Sequence, residues 1–110
     1  MNIIFYDELI DIRPVLEEIA LLPLSDKDEQ ALLSQIDQIF HHEILDEILT
    51  QLPREAHEEF FVLYGRDPGD VAIWDYLGTH VPTIRDDVRE RSDRVQGELR
   101  AVIVGELKNN

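Results

Sequence analysis

The sequence predicts an all-α fold, a single bundle of four to five helices in one domain spanning residues 1–110. Two long stretches, about 26–51 and about 83–107, carry apolar residues at helical spacing. Proline and glycine divide the chain between them into shorter segments. With 44% hydrophobic and 31% charged residues in a chain of 110, the composition is that of one small globular domain.

The central helix has signals at both ends. Ser25 is a suitable N-cap, because its hydroxyl can accept a free backbone N–H, and acidic residues follow in the first turn. The helix is expected to end near Gln51, because Pro53 interrupts the backbone hydrogen bonds. Its apolar stripe consists of positions 32, 33, 36, 39, 40, 44, 45, 48, 49 and 52.

Two shorter helices are predicted between the long ones. Pro53 suits the first turn of the first, and Gly65 is expected to stop it in a left-handed conformation. The stretch "RDPGD" predicts a turn, and the helix after it places Trp74 and Leu77 on one side.

The last helix is expected to begin at residue 82 or 83. Its inner stripe is expected to consist of Ile84, Val88, Val95, Leu99, Val102, Ile103 and Leu107. Its charged residues are expected to pair one turn apart along the helix, as Asp87 with Arg91. Such pairs describe a solvated helix face.

The first 24 residues carry no long apolar stripe. They predict a short helix near Tyr6–Ile12 and another from Pro14 to about Leu21, or an N-terminal arm. The stretch "NIIFY" has the composition of a strand, but no other segment offers it a partner strand.

The net charge of −14 is unevenly distributed. Residues 1–81 contain 18 acidic and 4 basic side chains, whereas residues 82–110 contain 6 of each. Such a chain repels nucleic acid and anionic membranes and favours encounter with a basic protein partner. Solubility is the simpler interpretation of the same charge.

Features that the sequence lacks limit both the chemistry of this protein and its expected location in the cell. The chain has no cysteine, so it predicts no disulfide and no thiolate chemistry. We expect a cytoplasmic protein, because the N-terminus lacks a basic leader and no apolar run approaches the ~20 residues of a membrane span.

The stretch "FHHEILDEIL" differs by one residue from the zinc-binding motif H-E-x-x-H, because Asp46 replaces the second histidine. A metal site built from His41 or His42, Asp46 and His57 is conceivable, since His57 follows on the next helix. The polar residues of this stretch also lie between the apolar positions 40, 44, 45 and 48, as expected for the solvent-facing side of an amphipathic helix. We favour the second interpretation and predict no metal site.

No other motif predicts catalysis. The chain has no nucleophile elbow, no glycine-rich phosphate loop and no complete calcium loop. We therefore predict no catalytic residues and no cofactor.

Partner-binding residues are predicted from an acidic stretch, a surface aromatic and the last helix: Glu43, Asp46, Glu47, Tyr76 and Val104. Tyr76 lies two residues after Trp74 and is expected nearer the surface. Residues 102–104 are three adjacent apolar residues that cannot all face one small core, so Val104 is a candidate for a homodimer contact.

The chain resembles a family of small acidic helical bacterial proteins, met mostly in candidate-phylum bacteria with reduced genomes, that carries a domain-of-unknown-function label. The resemblance covers about residues 20–107. It rests on "LLPLSDKDEQALLSQIDQIF", "ILDEILTQLPREAHEEFFVLY" and "DYLGTHVP". These stretches match the family's Leu-Pro and acidic cap before the long helix, its Leu-Pro break after it, and its Val-Pro start of the last helix. The resemblance implies a helical fold and a bacterial origin, and it implies no catalytic residues.

Together these observations predict a non-enzymatic acidic helical interaction module that docks a basic or amphipathic protein partner, or that self-associates. Two alternatives remain open. One is a metal-binding protein that uses the region of His41, His42 and Asp46. The other is a mimic of nucleic-acid charge, for which Asp37 and the acids after it recur along one helix.

Overall fold

The residues that the structure describes form five α-helices joined by short connections, and the all-α prediction is confirmed. The computed structural model describes the backbone of residues 4–109 and the side chains of residues 4–105. The helices are α1 (Arg13–Ile19), α2 (Asp26–Gln51), α3 (His57–Arg66), α4 (Ala72–His80) and α5 (Ile84–Asn109). The long central and C-terminal helices agree with the predicted ranges.

Helix α2 begins and ends where its sequence signals predict. The Ser25 hydroxyl accepts a hydrogen bond from the Asp28 N–H at 3.1 Å, and Leu52 leaves the helix in an extended conformation. Pro53 follows directly, so the hydrogen-bond ladder of α2 stops there. Both ends are therefore fixed by local chemistry.

The start and the end of α3 both differ from the prediction. Pro53 precedes a short 3-10 turn, Arg54–Ala56, and the α-helix begins only at His57. Gly65 lies inside α3, and no glycine of the described residues has a positive φ. The helix ends at Arg66, and the Asp67 carboxylate accepts the Gly69 N–H at 3.1 Å in the following turn. An aspartate turn, and not a left-handed glycine, ends this helix.

The predicted helix at Tyr6–Ile12 is wrong, because residues 5–9 form turns. The Leu9 N–H donates to the Tyr6 carbonyl at 3.0 Å, as in a turn, and not to the Phe5 carbonyl as an α-helix would require. Phe5 is instead bonded to residues distant in sequence. The Phe5 N–H donates to the Pro68 carbonyl at 2.7 Å, and the Phe5 carbonyl accepts from the Trp74 indole at 3.0 Å. The segment packs as part of the bundle and is not a free arm. Helix α1 begins one residue before the second predicted range and ends two residues before the end of that range.

The core is contributed by every helix and by the N-terminal turn. Phe5 lies edge-on to Trp74, with ring centroids 5.0 Å apart. The side chains with almost no exposure are Val15, Ile19, Ile44, Ile48, Phe60, Ile73, Leu77, Ile84 and Val88. One continuous apolar cluster therefore joins the N-terminal segment to the helices.

Helix α5 packs against both α1 and α2. Val88, Val95 and Ile103 are buried as predicted, but Val102, which is predicted on the same inner face, is 65% exposed. Gln96 is also buried: its Oε1 accepts the Val15 N–H at 3.3 Å and its Nε2 donates to the Asp11 carbonyl at 2.9 Å. These bonds hold the start of α1 on α5.

Candidate functional site

Three of the predicted partner-binding carboxylates converge on one guanidinium of α5. Glu43, Asp46 and Glu47 share a face of α2, because side chains three and four positions apart lie together on a helix. Arg91 Nε donates to Glu43 Oε2 at 2.8 Å, and Arg91 Nη2 donates to the same oxygen and to Asp46 Oδ2, the latter at 3.1 Å. Arg91 Nη1 lies 3.6 Å from Glu47 Oε1. We call these four residues the Arg91 cluster.

The Arg91 cluster is only partly accessible. Glu47 is 9% exposed, and its other oxygen accepts from Gln51 Nε2 at 3.1 Å. Glu43 is half-buried and Asp46 is exposed. The pKa of Arg91 is raised, and the largest cause is its hydrogen bonding to Glu43. The cluster thus joins α2 to α5, and the polar surface predicted on α2 is buried at Glu47.

The predicted pairing of Arg91 with Asp87 is wrong. Asp87 instead accepts a hydrogen bond from the Thr83 hydroxyl at 2.9 Å.

The candidate metal ligands are not brought together. His41 lies between two tyrosines, with Nδ1 2.7 Å from the Tyr6 hydroxyl and Nε2 3.4 Å from the Tyr64 hydroxyl. His57 Nε2 is 2.9 Å from two carbonyl oxygens at the end of α2, those of residues 49 and 52. His42 is exposed, and Asp46 belongs to the Arg91 cluster. Within the described residues, no three His, Asp or Glu side chains are placed to hold a metal ion.

The two remaining predicted contact residues are half-buried. The Tyr76 hydroxyl donates to the Ala56 carbonyl at 3.0 Å, so it ties α4 to the turn before α3. Val104 lines a shallow groove between α1 and α5, together with Gly97 and Ala101. Both keep part of their apolar surface accessible to a partner.

A second acidic feature, absent from the sequence prediction except for Asp37, lies between the N-terminal turn and α2. We call it the acidic groove. It has a volume of about 200 Å³ and is lined by Tyr6, Asp7, Ile10, Ile12, Asp37 and Phe40. Asp7 accepts the Ile4 N–H at 2.9 Å, and both aspartates are exposed. Neither forms an ion pair with a side chain that the structure describes.

The floor of the acidic groove is a fixed hydrogen-bonded group. Burial raises the pKa of Tyr6, and Tyr64, Asp7 and Asp37 raise it further by repelling a phenolate. Tyr6 is therefore a neutral phenol bonded to His41. Thirty residues separate the two aspartates, so only the folded chain shows that they share a groove.

Across the whole surface, few carboxylates of the acidic part of the chain are neutralised internally. Of the 18 acidic residues among residues 1–81, those in ion pairs with described side chains are Asp11, Glu18, Glu43, Asp46 and Glu47. The other 13 form none. Among the side chains that the structure describes, most of the excess negative charge of residues 1–81 therefore lies on carboxylates that form no ion pair.

No protein-family model matches this chain, and no significant match is found among curated proteins or solved structures. The resemblance to a family of small acidic helical bacterial proteins stays a prediction.

None of the helices between residues 4 and 109 combines the length and the apolar character that a membrane crossing requires.

Proposed function

We propose that this protein is a non-enzymatic acidic helical module that docks a basic, amphipathic segment of a protein partner. The observation that carries the proposal is the set of carboxylates in residues 1–81 that have no ion-pair partner among the described side chains. Like charges held on one small surface repel each other, and a cationic partner relieves that repulsion when it binds.

Apolar contact is available beside these charges. On α3, Glu58, Phe61 and Val62 occupy one face, because they are spaced three and four residues apart. Phe61 is 50% exposed and Val62 is 52% exposed. An amphipathic basic segment can therefore cover apolar surface while its cations approach carboxylates, which gives more affinity than charge alone. The cytoplasm is the proposed place of this encounter.

Two designed peptides of opposite charge test the proposal. One carries leucine and lysine at helical spacing, and the other carries leucine and glutamate in the same order. We expect the lysine peptide to bind the full chain in isothermal titration calorimetry and the glutamate peptide to show no binding. Equal binding of the two peptides, or binding of the glutamate peptide alone, would contradict the proposal.

A further inference from the structure

We infer that the acidic groove receives a lysine or arginine side chain of the basic protein partner. The inference rests on the proposed function and deepens it by naming one contact. The aliphatic stem of the side chain would lie on the apolar lining, and its charged end would lie between Asp7 and Asp37.

The acidic groove differs in charge from three other grooves on the protein. At each of those grooves, an arginine of the protein lies in the lining or pairs with a lining carboxylate. In the groove beside Trp74, Arg85 lies 5.5 Å from the centre of the indole ring. In the groove between α1 and α5, Arg100 Nη2 lies 2.9 Å from Glu18 Oε1. The groove on α2 at residues 35–43 ends at Glu43, which is bound to Arg91. The acidic groove instead has two carboxylates and no basic lining residue.

The lining of the acidic groove suits a side chain that is apolar along its length and charged at its end. Tyr6 and Phe40 are buried beneath it, and Ile10 and Ile12 are half-buried along it. Lysine and arginine bury their methylene stems on such surfaces while the charged end stays in water. The volume of about 200 Å³ lies below the roughly 300–1,000 Å³ of small-molecule pockets, so the groove suits a single side chain better than a whole ligand.

Contacts outside the groove hold its walls in place. The Tyr6 hydroxyl is bonded to His41 on α2, and the Phe5 main chain is bonded to Pro68 and to the Trp74 side chain. Gln96 fixes the carbonyl of residue 11, next to Ile12. A groove that is already formed loses little conformational entropy on binding, so the partner's side chain meets a ready site.

The role of the stem is tested by shortening it. A second peptide replaces every lysine of the Leu/Lys peptide with diaminobutyric acid, which keeps the ammonium group and removes two methylenes. We expect the dissociation constant of the full chain for this peptide to be roughly 5-fold higher, because the removed methylenes no longer cover the apolar lining. Equal affinity for the two peptides would overturn the inference.

The role of the carboxylates is tested with Asp37→Asn and with the control Asp93→Asn. Both aspartates are exposed in the middle of a long helix, and both changes remove one negative charge, but Asp93 does not line the groove. We expect Asp37→Asn to weaken binding of the Leu/Lys peptide about 3-fold, and Asp7→Asn with Asp37→Asn about 10-fold, with no change for Asp93→Asn. Unchanged thermal unfolding of the variants, measured by circular dichroism, shows that they remain folded.

Nuclear magnetic resonance locates the contact. The methyl signals of Ile10 and Ile12 are expected to shift when the Leu/Lys peptide is added, and to shift less in Asp37→Asn. If the peptide binds but those signals stay unchanged and the aspartate variants bind normally, the groove inference is wrong while the proposed function stands. If the Leu/Lys peptide does not bind at all, both are wrong.

Discussion

Arg91 joins α5 to α2 through three carboxylates. Its side chain is 21% exposed, and it neutralises Glu47, whose side chain is only 12% exposed. Without Arg91, a nearly buried carboxylate would remain beside Glu43 and Asp46, and the three would repel each other. We expect Arg91→Leu to lower the free energy of unfolding by about 2 kcal/mol, less than for a fully buried pair because water reaches part of the cluster. Urea unfolding measures this loss.

Arg89 on the same helix is the matched control. It pairs at 3.2 Å with Asp86 one turn away, and its side chain is 53% exposed. We expect Arg89→Leu to change the free energy of unfolding by less than about 0.5 kcal/mol. Equal losses for the two arginine variants would show that the Arg91 cluster adds nothing beyond a surface ion pair.

Tyr6 makes the stability of the protein sensitive to alkaline pH. Burial raises the pKa of Tyr6 above its ordinary value of 10.0, so the folded chain keeps its phenol neutral at a pH where the unfolded chain ionises it. This contribution to stability is complete below pH 10.0 and is lost as the pH rises from there toward the pKa of the folded state. The free energy of unfolding should fall by up to about 1.4 kcal/mol per pH unit for this residue.

Tyr6→Phe tests that assignment. The variant loses the hydrogen bond to His41 at every pH, so the informative quantity is the slope of stability against pH above 10.0 and not stability at neutral pH. We expect a shallower slope in urea unfolding than in the unmodified chain. Some slope should persist, because burial also raises the pKa of Tyr64 and Tyr76. An unchanged slope would contradict the assignment.

At the scale of elements, Ser25 sets the start of the longest helix. Its hydroxyl satisfies the Asp28 N–H, which no residue of the helix itself can reach. We expect Ser25→Ala to lower the free energy of unfolding by about 1 kcal/mol in urea. Ser34→Ala, an exposed position in the middle of α2, is the control and should be neutral or slightly stabilising, because alanine favours helices. A loss in both variants, or in neither, would contradict the capping role.

Helix α2 could be predicted from the sequence because its signals are local. A capping serine, a stripe of apolar residues and a proline lie within 30 residues of one another, and each acts on its own neighbourhood. The N-terminal turn could not be predicted in the same way. Phe5 is held by Pro68 and Trp74, which are more than 60 residues away, and these contacts replace the helix that local propensity favours.

The same distinction between local and distant contacts explains which parts of the candidate sites could be predicted from the sequence. The spacing of Glu43, Asp46 and Glu47 shows that they share a face of α2, but their partner Arg91 lies on α5, more than 40 residues later. Local helical pairing instead favours Asp87 as the partner of Arg91. The acidic groove likewise needs the N-terminal turn in place before its two aspartates meet.

At the scale of the whole molecule, the elongated shape leaves part of α5 open. The protein measures 49 × 25 × 20 Å, and on α5 Ile103 faces the core while Val102 is exposed and Val104 is half-buried. If two copies pair through this helix, Val104→Lys places a cation in the contact. We then expect the variant to remain folded and its molar mass in light scattering to fall to that of a monomer. A molar mass equal to that of the unmodified chain would exclude a contact through Val104.

The central claim concerns the whole charge of the molecule, so its most direct test is the salt dependence of binding. Screening weakens attraction between exposed charges, whereas contact between apolar surfaces keeps or gains strength in salt. The measurement is the dissociation constant of the Leu/Lys peptide between about 0.05 and about 0.5 M salt. We predict that affinity falls at least about 10-fold over this range. Affinity that is unchanged or increases with salt would contradict the account of this protein as an acidic docking module.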